Sequence, residues 1–138
     1  MKTLGMKNRN PLNIRYDPRN KWLGSKKGEK GFCYFSSCPL GYRAALLLLR
    51  NYVRKGYKSI SAIIHRWAPD SENDTKSYLD YVCKNFGAKG VVVSPDYEIE
   101  TDLDLVNLVR PMSILESRID PVDVCDLMSI LNQYNIHI

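Results

Sequence analysis

The sequence lacks the features that would place it in a metal-dependent or redox class. It has only two histidines, His65 and His137, and its four cysteines form no CxxC pair. A zinc site needs His and Cys ligands at short, regular spacings, so we expect no metal site and no cofactor. The thiols are predicted to be free, although Cys33 and Cys38 are close enough along the chain to meet across a turn.

Long apolar runs are also missing. The longest run, Ala44 to Leu49, is short and is flanked by Arg43 and Arg50, whereas a membrane-spanning helix needs about 20 apolar residues. The first residues include a lysine but no apolar stretch after it, so we expect no signal peptide. The sequence therefore predicts a protein made in the cytoplasm, which something else must carry if it acts elsewhere.

Acidic residues are scarce in the first half of the chain. Residues 1–67 carry 15 Lys and Arg against two acids, whereas residues 68–138 carry five against 13, so the two parts have net charges of +13 and −8. A basic half attracts polyanions such as nucleic acid or an anionic cell wall. The alternative is that the two halves neutralise each other on folding, and composition does not separate these readings.

The length of 138 residues is that of one domain. Residues 1–9 are predicted to form a basic N-terminal tail, and residues 10–138 a single folded domain. From Asn13 to Phe35, short aromatic segments flank a glycine-rich stretch, which indicates a small hairpin or irregular β unit.

The rest of the chain is predicted to be mainly helical. Ile60, Ile63, Ile64 and Trp67 have helical spacing, which places Trp67 in the core. Pro111 should kink or split the fourth helix, and residues 90–93 form either a strand or a buried extended loop. The predicted helices run from Gly41 to Lys55, from Ile60 (capped by Ser59) to Trp67, from Asn73 or Asp74 to Gly87, from Asp102 to Leu115, and from Asp120 onwards, burying Val124, Leu127, Met128 and Leu131.

Three motif blocks occur in a fixed order along the chain. The first is Asn-Pro-Leu-Asn-Ile-Arg at residues 10–15, followed by Trp22 and Gly24 and then Phe32 and Phe35. The second is Gly41, Arg43 and Ala44 at the start of a helix. The third is Trp67-Ala68-Pro69, followed by Glu72-Asn73, Thr75 and Tyr78.

As a set, over about residues 8–118, these blocks resemble the phage lytic or structural protein family with a lysozyme-like fold. The same elements are similar, in circularly permuted order, to bacterial cell-wall glucosaminidases of the flagellar type. The resemblance implies an α+β, mainly α-helical lysozyme-like domain with a small N-terminal β unit followed by about five helices. It also implies a virion-associated enzyme that cleaves peptidoglycan glycan strands, with other virion proteins as further partners. Release from the cell or delivery by a virion would bring it to the wall.

The resemblance points to Glu116 as the catalytic acid, near the end of the fourth helix. Cleaving a glycosidic bond requires a proton on the leaving oxygen, and a carboxyl group pressed against apolar side chains keeps its proton near neutral pH. Ser117 and Arg118 stand where the phage family has Asn-Gly, and Leu12 replaces a family glycine. Glu72 is the alternative acid, although a carboxylate there also suits a helix start.

The other expected site residues lie in the β unit and on the helices. A hydrolase would need a second carboxylate, for which Asp17 and Glu29 are available, whereas a lytic transglycosylase uses the muramate's own hydroxyl. His65 has no nucleophile to pair with, and Ser36 and Ser37 have no triad. The expected substrate-binding residues are Asn13, Arg15, Trp22, Tyr34, Tyr78 and Ser117.

Two other functions remain open at this stage. One is a non-catalytic virion or accessory protein that keeps the lysozyme-like fold. The other is a basic nucleic-acid-binding protein, which is less favoured because the chain has no helix-turn-helix with a basic recognition helix. The sequence leaves open which glycosidic bond is cut, and whether water or an internal hydroxyl attacks.

Overall fold

A computed structural model describes residues 1–71, 73–87 and 89–138. This part of the chain forms six α-helices and one two-stranded antiparallel sheet, so the predicted α+β, mainly helical class is confirmed. The strands are β1 (Ser25–Lys27) and β2 (Cys33–Phe35). The helices are α1 (Leu4–Asn8), α2 (Cys38–Arg54), α3 (Ile60–Trp67), α4 (Thr75–Lys84), α5 (Asp102–Ser117) and α6 (Leu127–Gln133).

The first nine residues are folded onto the domain and do not form the predicted tail. Thr3 caps α1 by accepting a hydrogen bond from the Met6 N–H, and its hydroxyl donates to the Ser117 carbonyl at 2.7 Å. Gly5 and Asn8 of α1 are buried. The packing partner of α1 lies more than 100 residues away along the chain, so no local pattern indicates the contact.

The β unit consists of the β1–β2 hairpin and a third extended segment beside it. Lys26 pairs with Tyr34 within the hairpin, and an isolated bridge joins Arg15 to Phe32. The buried Asn10 amide fixes this segment, donating to both the Ile14 and the Cys33 carbonyls at 2.9 Å. A satisfied buried amide of this kind specifies one arrangement of the strands.

The core lies between α2 and the helices that follow it. Helix α2 begins after Ser37, whose side chain accepts from the Leu40 N–H, and its buried face contacts α5 and α6. One polar bond crosses this core: the hydroxyls of Tyr42 and Ser113 are 2.7 Å apart. The fully buried members of the α2 face are Tyr42, Ala44, Ala45, Leu46 and Leu49.

Two of the predicted helix starts are confirmed by their caps. Ser59 accepts from the Ala62 N–H at the start of α3, and Asp74 accepts from the Ser77 N–H at the start of α4. Both signals are local, because a side-chain oxygen satisfies a donor only two or three residues ahead of it.

Helix α5 differs from the prediction at both its start and its middle. Thr101, and not Asp102, is the cap, with Asp104 completing a reciprocal capping box. Pro111 lies inside a single continuous helix. It has no N–H for the Asn107 carbonyl, and the Gly87 N–H donates to that carbonyl instead, at 2.9 Å. A partner from outside the helix therefore satisfies the carbonyl that proline leaves free, and the helix is not split.

The C-terminal segment also departs from the prediction. Residues Pro121–Asp123 form a short 3₁₀ turn, and α6 begins only after Asp126, whose carboxylate accepts from the Met128 N–H. Val124 is 45% exposed and not buried as predicted, whereas Leu127 and Leu131 are buried. Residues 90–93 form an extended loop with one bridge, from Val91 to Phe86, but Val91 and Val92 are exposed, so the loop is not buried as predicted.

Two absences apply to the part of the chain that the structure describes. The four cysteines are all free, with Cys33 and Cys83 buried. Within the same ranges, no helix combines the length and the apolar character that crossing a bilayer requires.

Candidate active site

The Glu116 side chain lines a polar cleft. It is the second-last residue of α5 and is half-buried. The cleft, of about 360 Å³, lies between the β unit, α2, the α3–α4 turn and the end of α5. Its lining residues include Asn13, Arg15, Asp17, Asn20, Phe32, Leu48, Tyr52, Trp67, Asn73 and Glu116.

Two donors hold one oxygen of the Glu116 carboxyl group. Oε2 accepts from the Trp67 indole N–H at 3.1 Å and from the Tyr78 hydroxyl at 3.0 Å. Among the described residues, Oε1 has only a long contact, 3.5 Å from the Asn13 amide nitrogen. Because both short bonds fall on Oε2, a proton on this group belongs on Oε1.

Asn13 connects the β unit to the end of α5. Its side-chain amide donates to the Glu116 backbone carbonyl at 2.9 Å, which satisfies one of the unpaired carbonyls at the helix end. Asn13 has a φ of 51°, in the left-handed region that asparagine tolerates better than most residues. This backbone conformation, as part of the turn after Asn10, aims the amide at α5.

Burial raises the pKa of the Glu116 carboxyl above its usual range. The hydrogen bonds from Trp67, Tyr78 and Asn13, and the charge of Arg15, oppose this rise by favouring the ionised form. The helix adds to it, because Glu116 lies at the negative end of the α5 dipole and the last turn has no basic residue. Glu116 therefore keeps its proton to higher pH than an exposed glutamate.

The donors to Glu116 are themselves stable in their protonated form. Burial and the neighbouring Glu116 carboxyl raise the pKa of Tyr78 well above its ordinary value. The indole N–H of Trp67 donates only and does not titrate in this range. Both hydrogen bonds to Oε2 therefore persist across the pH range in which Glu116 titrates.

The helical spacing predicts a core position for Trp67 but does not predict its hydrogen bond to Glu116. The ring is half-buried, packs at 6.3 Å from the Tyr52 ring, and turns its N–H to Glu116. The fully buried Thr75 hydroxyl donates to the Ala68 carbonyl and so holds the α3–α4 turn that carries Trp67 and Tyr78. The feature of the sequence that indicates such a hydrogen bond is the tryptophan itself, because a buried indole N–H usually needs an acceptor.

Asp17 is the second carboxyl group that lines the cleft. Arg19 pairs with it at 2.7 Å and lowers the pKa of Asp17 to about 2, mainly through hydrogen bonds. Asp17 is therefore ionised at neutral pH, whereas the Glu116 pKa is raised. Glu29, the other predicted second carboxylate, is exposed in a 3₁₀ turn of the hairpin and does not line the cleft.

The predicted aromatic residues occupy different places. Tyr78 reaches the site through its hydroxyl, as described. Trp22 is half-buried and Tyr34 partly exposed, and both lie outside the described lining of the cleft. Arg15 is exposed at the cleft, with its guanidinium 5.4 Å from the Phe32 ring centre.

Ser117 does not have the predicted substrate-binding position. The side chain is fully buried, and its hydroxyl donates to the Ser113 carbonyl one turn earlier, at 3.0 Å. A serine in the last turn of a helix often bonds back to its own helix in this way. A ligand in the cleft therefore has no access to this hydroxyl.

Two further expectations concern Glu72 and metals. Glu72, the alternative acid, lies outside the described residues. Across ranges 1–71, 73–87 and 89–138, no group of three or more His, Cys, Asp or Glu side chains is arranged to hold a metal ion.

The fold and the site define an α+β, mainly helical protein whose cleft holds a half-buried carboxyl group. No protein-family model matches the chain. The chain is 40% identical over 88 residues to Protein P5 of Pseudoalteromonas phage PM2, over 60% of this chain and 55% of the phage protein. It thus spans about half the length of that curated relative. The similarity supports the bacteriophage part of the resemblance and says nothing about activity.

Proposed function

We propose that this protein cleaves the glycan strand of peptidoglycan, with Glu116 as the general acid. One observation carries the proposal: a carboxyl group with a raised pKa lines an open polar cleft. The likeness to a phage protein and the lytic-family motifs support it, because Trp67, Tyr78 and Asn13 of those motifs meet at Glu116.

The carboxyl geometry suits proton donation to a leaving oxygen. Trp67 and Tyr78 occupy Oε2, which leaves Oε1 to carry the proton. After the proton has moved, the same two donors stabilise the carboxylate, so the group can act as a base in a later step. A general acid with a pKa near the working pH typically contributes 10²–10⁴-fold to the rate.

The cleft lining suits an N-acetylated sugar. The side-chain amides of Asn20 and Asn73 line the cleft and can bond hydroxyl and N-acetyl groups. The Asn13 amide is already bonded to Glu116 and shapes the cleft wall instead. Phe32 and Tyr52 add aromatic surface against which the apolar face of a pyranose can pack.

Both reaction types of the lytic family remain within the proposal. In transglycosylation the muramate hydroxyl attacks, and Glu116 alone suffices. In hydrolysis a second carboxylate activates water or attacks the sugar, and Asp17 is the ionised group available in the cleft. The products distinguish the two routes, because only transglycosylation forms an anhydro sugar.

The test is digestion of peptidoglycan sacculi by the purified protein, with mass spectrometry of the released fragments. We expect fragments from the wild type, a loss of at least 100-fold in Glu116→Gln, and wild-type release from Glu98→Gln, an exposed control. Anhydro ends assign transglycosylation, whereas reducing ends assign hydrolysis and predict loss in Asp17→Asn. No release from folded wild type contradicts the proposal, and release that survives in Glu116→Gln moves the acid elsewhere.

The non-catalytic alternative makes a different prediction in the same assay. A protein that keeps the cleft but no longer cuts would bind sacculi and release nothing, from wild type and Glu116→Gln alike. The exposed cations of the β unit favour a polyanion as the ligand in that case as well.

A further inference from the structure

The outward face of the β unit carries a pattern that the cleft does not explain. Side chains alternate between the two faces of a strand. Cys33 and Phe35 are buried against the core, so Phe32 and Tyr34 lie on the opposite, outward face. Residues directly opposite each other on paired strands share a face, which places Arg15 beside Phe32 and Lys26 beside Tyr34.

Each of these two rings has a cation over it. The Arg15 guanidinium is 5.4 Å from the Phe32 ring centre, and the Lys26 ammonium is 4.9 Å from that of Tyr34. Arg9 lies over the Tyr34 ring at 5.8 Å and donates to its hydroxyl at 3.0 Å. We call these five residues the cation–aromatic stripe.

The three cations of the stripe are not neutralised. Arg9, Arg15 and Lys26 are all exposed, and none forms an ion pair with a carboxylate in the described part of the chain. In residues 1–37 the acids are Asp17 and Glu29, and Asp17 is already paired with Arg19. Contacts with the rings hold the cations in place while leaving their charge available.

The stripe begins inside the cleft and leads out of it. Arg15 and Phe32 line the cleft beside Glu116. Tyr34, Lys26 and Arg9 continue the same face outside the described lining. A chain molecule bound at Glu116 therefore has a path on this side along partly exposed rings and exposed cations.

We propose that the cation–aromatic stripe is an extended subsite for the carboxylate-bearing glycan strand of peptidoglycan. The inference rests on the proposed function. Aromatic faces pack against sugar rings, while the lactyl and peptide carboxylates of the strand meet Arg9, Arg15 and Lys26. Nucleic acid is the competing polyanion, and continuity with the cleft of Glu116 favours the glycan strand over it.

The first test measures binding without cleavage. Glu116→Gln protein is sedimented with intact sacculi at low and high NaCl, alone and combined with Lys26→Gln or Tyr34→Leu. The control is Lys84→Gln, which removes the same charge from an exposed position on α4. We expect about three- to fivefold weaker binding for either stripe variant at low salt, a smaller difference at high salt, and no change for the control.

The second test varies substrate length in the cleaving protein. Lys26→Gln should raise KM for long glycan strands about threefold and leave cleavage of short muropeptide oligomers unchanged, because these fill only the cleft. An equal loss on both lengths would overturn the extended subsite. The extended subsite would also be overturned if the stripe variants bound sacculi as well as the control does. The same holds if they weakened binding to duplex DNA and not to sacculi.

The two proposals fail separately. If the wild type releases no fragments but the stripe variants still weaken sacculus binding, the proposed enzyme activity is contradicted and the proposed binding surface is supported. If the wild type cleaves sacculi and the stripe variants match Lys84→Gln in both tests, the stripe is not a subsite and the proposed enzyme activity is supported.

Discussion

At the residue scale, the behaviour of Glu116 follows from two opposing effects. Burial raises its pKa, and the donors on Oε2 lower it again. Under the proposed function, Trp67 and Tyr78 would therefore have a tuning role, because they favour release of the proton from Glu116. The Tyr78 hydroxyl is the donor that a conservative substitution removes.

Tyr78→Phe is predicted to raise the pKa of Glu116 further, since it deletes a hydrogen bond that favours the carboxylate. If protonated Glu116 is required, activity is lost as the pH rises through this pKa, and the alkaline limb of the pH profile moves upwards in the variant. A carboxyl ¹³C titration by NMR reports the shift directly. Tyr134→Phe, away from the cleft lining, is the control, and an unchanged or lowered pKa in Tyr78→Phe contradicts the account.

Glu116→Gln is predicted to stabilise the fold at alkaline pH. A carboxyl group with a raised folded-state pKa contributes most to stability below its unfolded pKa, and this contribution is lost as the pH rises through the folded pKa. The variant should therefore gain free energy of unfolding at pH 8 relative to wild type, and gain less at pH 4. Urea denaturation at the two pH values checks this; an equal effect at both would show that ionisation is not the cause.

At the element scale, α1 packs closely against the end of α5, which carries Glu116. A Cβ on Gly5 would lie 2.5 Å from the Ser117 Cβ and 3.2 Å from the Asn13 Oδ1. Asn13 and the end of α5 are the elements that position the Glu116 side chain. Glycine is thus required at position 5 because any side chain would clash with these neighbours, and not because of its backbone conformation.

Gly5→Ala is predicted to destabilise the protein by about 1–3 kcal/mol, because the added methyl group must push α1 away from α5. Activity should fall as well, since the displaced neighbours include Asn13. The matched control is Lys7→Ala, an exposed change on the same helix. Thermal or urea unfolding measures the effect, and a Gly5→Ala protein as stable and active as the control would show that α1 does not support the site.

At the scale of the whole molecule, stability comes from apolar burial contributed by distant segments. The core joins residues from the β unit, from α2 to α5, and from α6. No disulfide adds to it among the described residues, where all four cysteines are free. A single core of this kind suffices for a domain of this length.

The free energy of unfolding is therefore predicted to be the same with and without a thiol reductant. Urea denaturation with and without dithiothreitol checks this. A decrease of about 2 kcal/mol or more on reduction would reveal a disulfide, with the Cys33–Cys38 pair as the first to test by peptide mapping.

The predictable part of the fold is the part with local causes. The caps at Ser59 and Asp74 and the helical stripe of α3 act within a few residues, so the sequence pattern indicates them correctly. Helix α1 and the unbroken α5 are missed because their causes are distant: α1 is held by Ser117, and the Gly87 N–H satisfies the carbonyl left free by Pro111.

The sequence predicted which residues form the candidate site better than it predicted what each of them does. The motif blocks contain Asn13 and Tyr78, and the family resemblance adds Glu116; these three residues do meet in one hydrogen-bonded group. The sequence could not show that Ser117, next to Glu116, faces the core. Neighbouring residues in a helix point about 100° apart, and only the packing of α1 against α5 decides which of them is exposed.

The sequence by itself determined the class of the fold, the order of the elements after α1, the charge asymmetry and the residue types available for acid catalysis. These properties depend on composition and on periodicity along the chain. The tertiary structure alone decided that Trp67 donates to Glu116, that Asp17 shares the cleft, and that the cations of the β unit align on one face. These depend on contacts between segments far apart in sequence, whose geometry is set by packing of the common core.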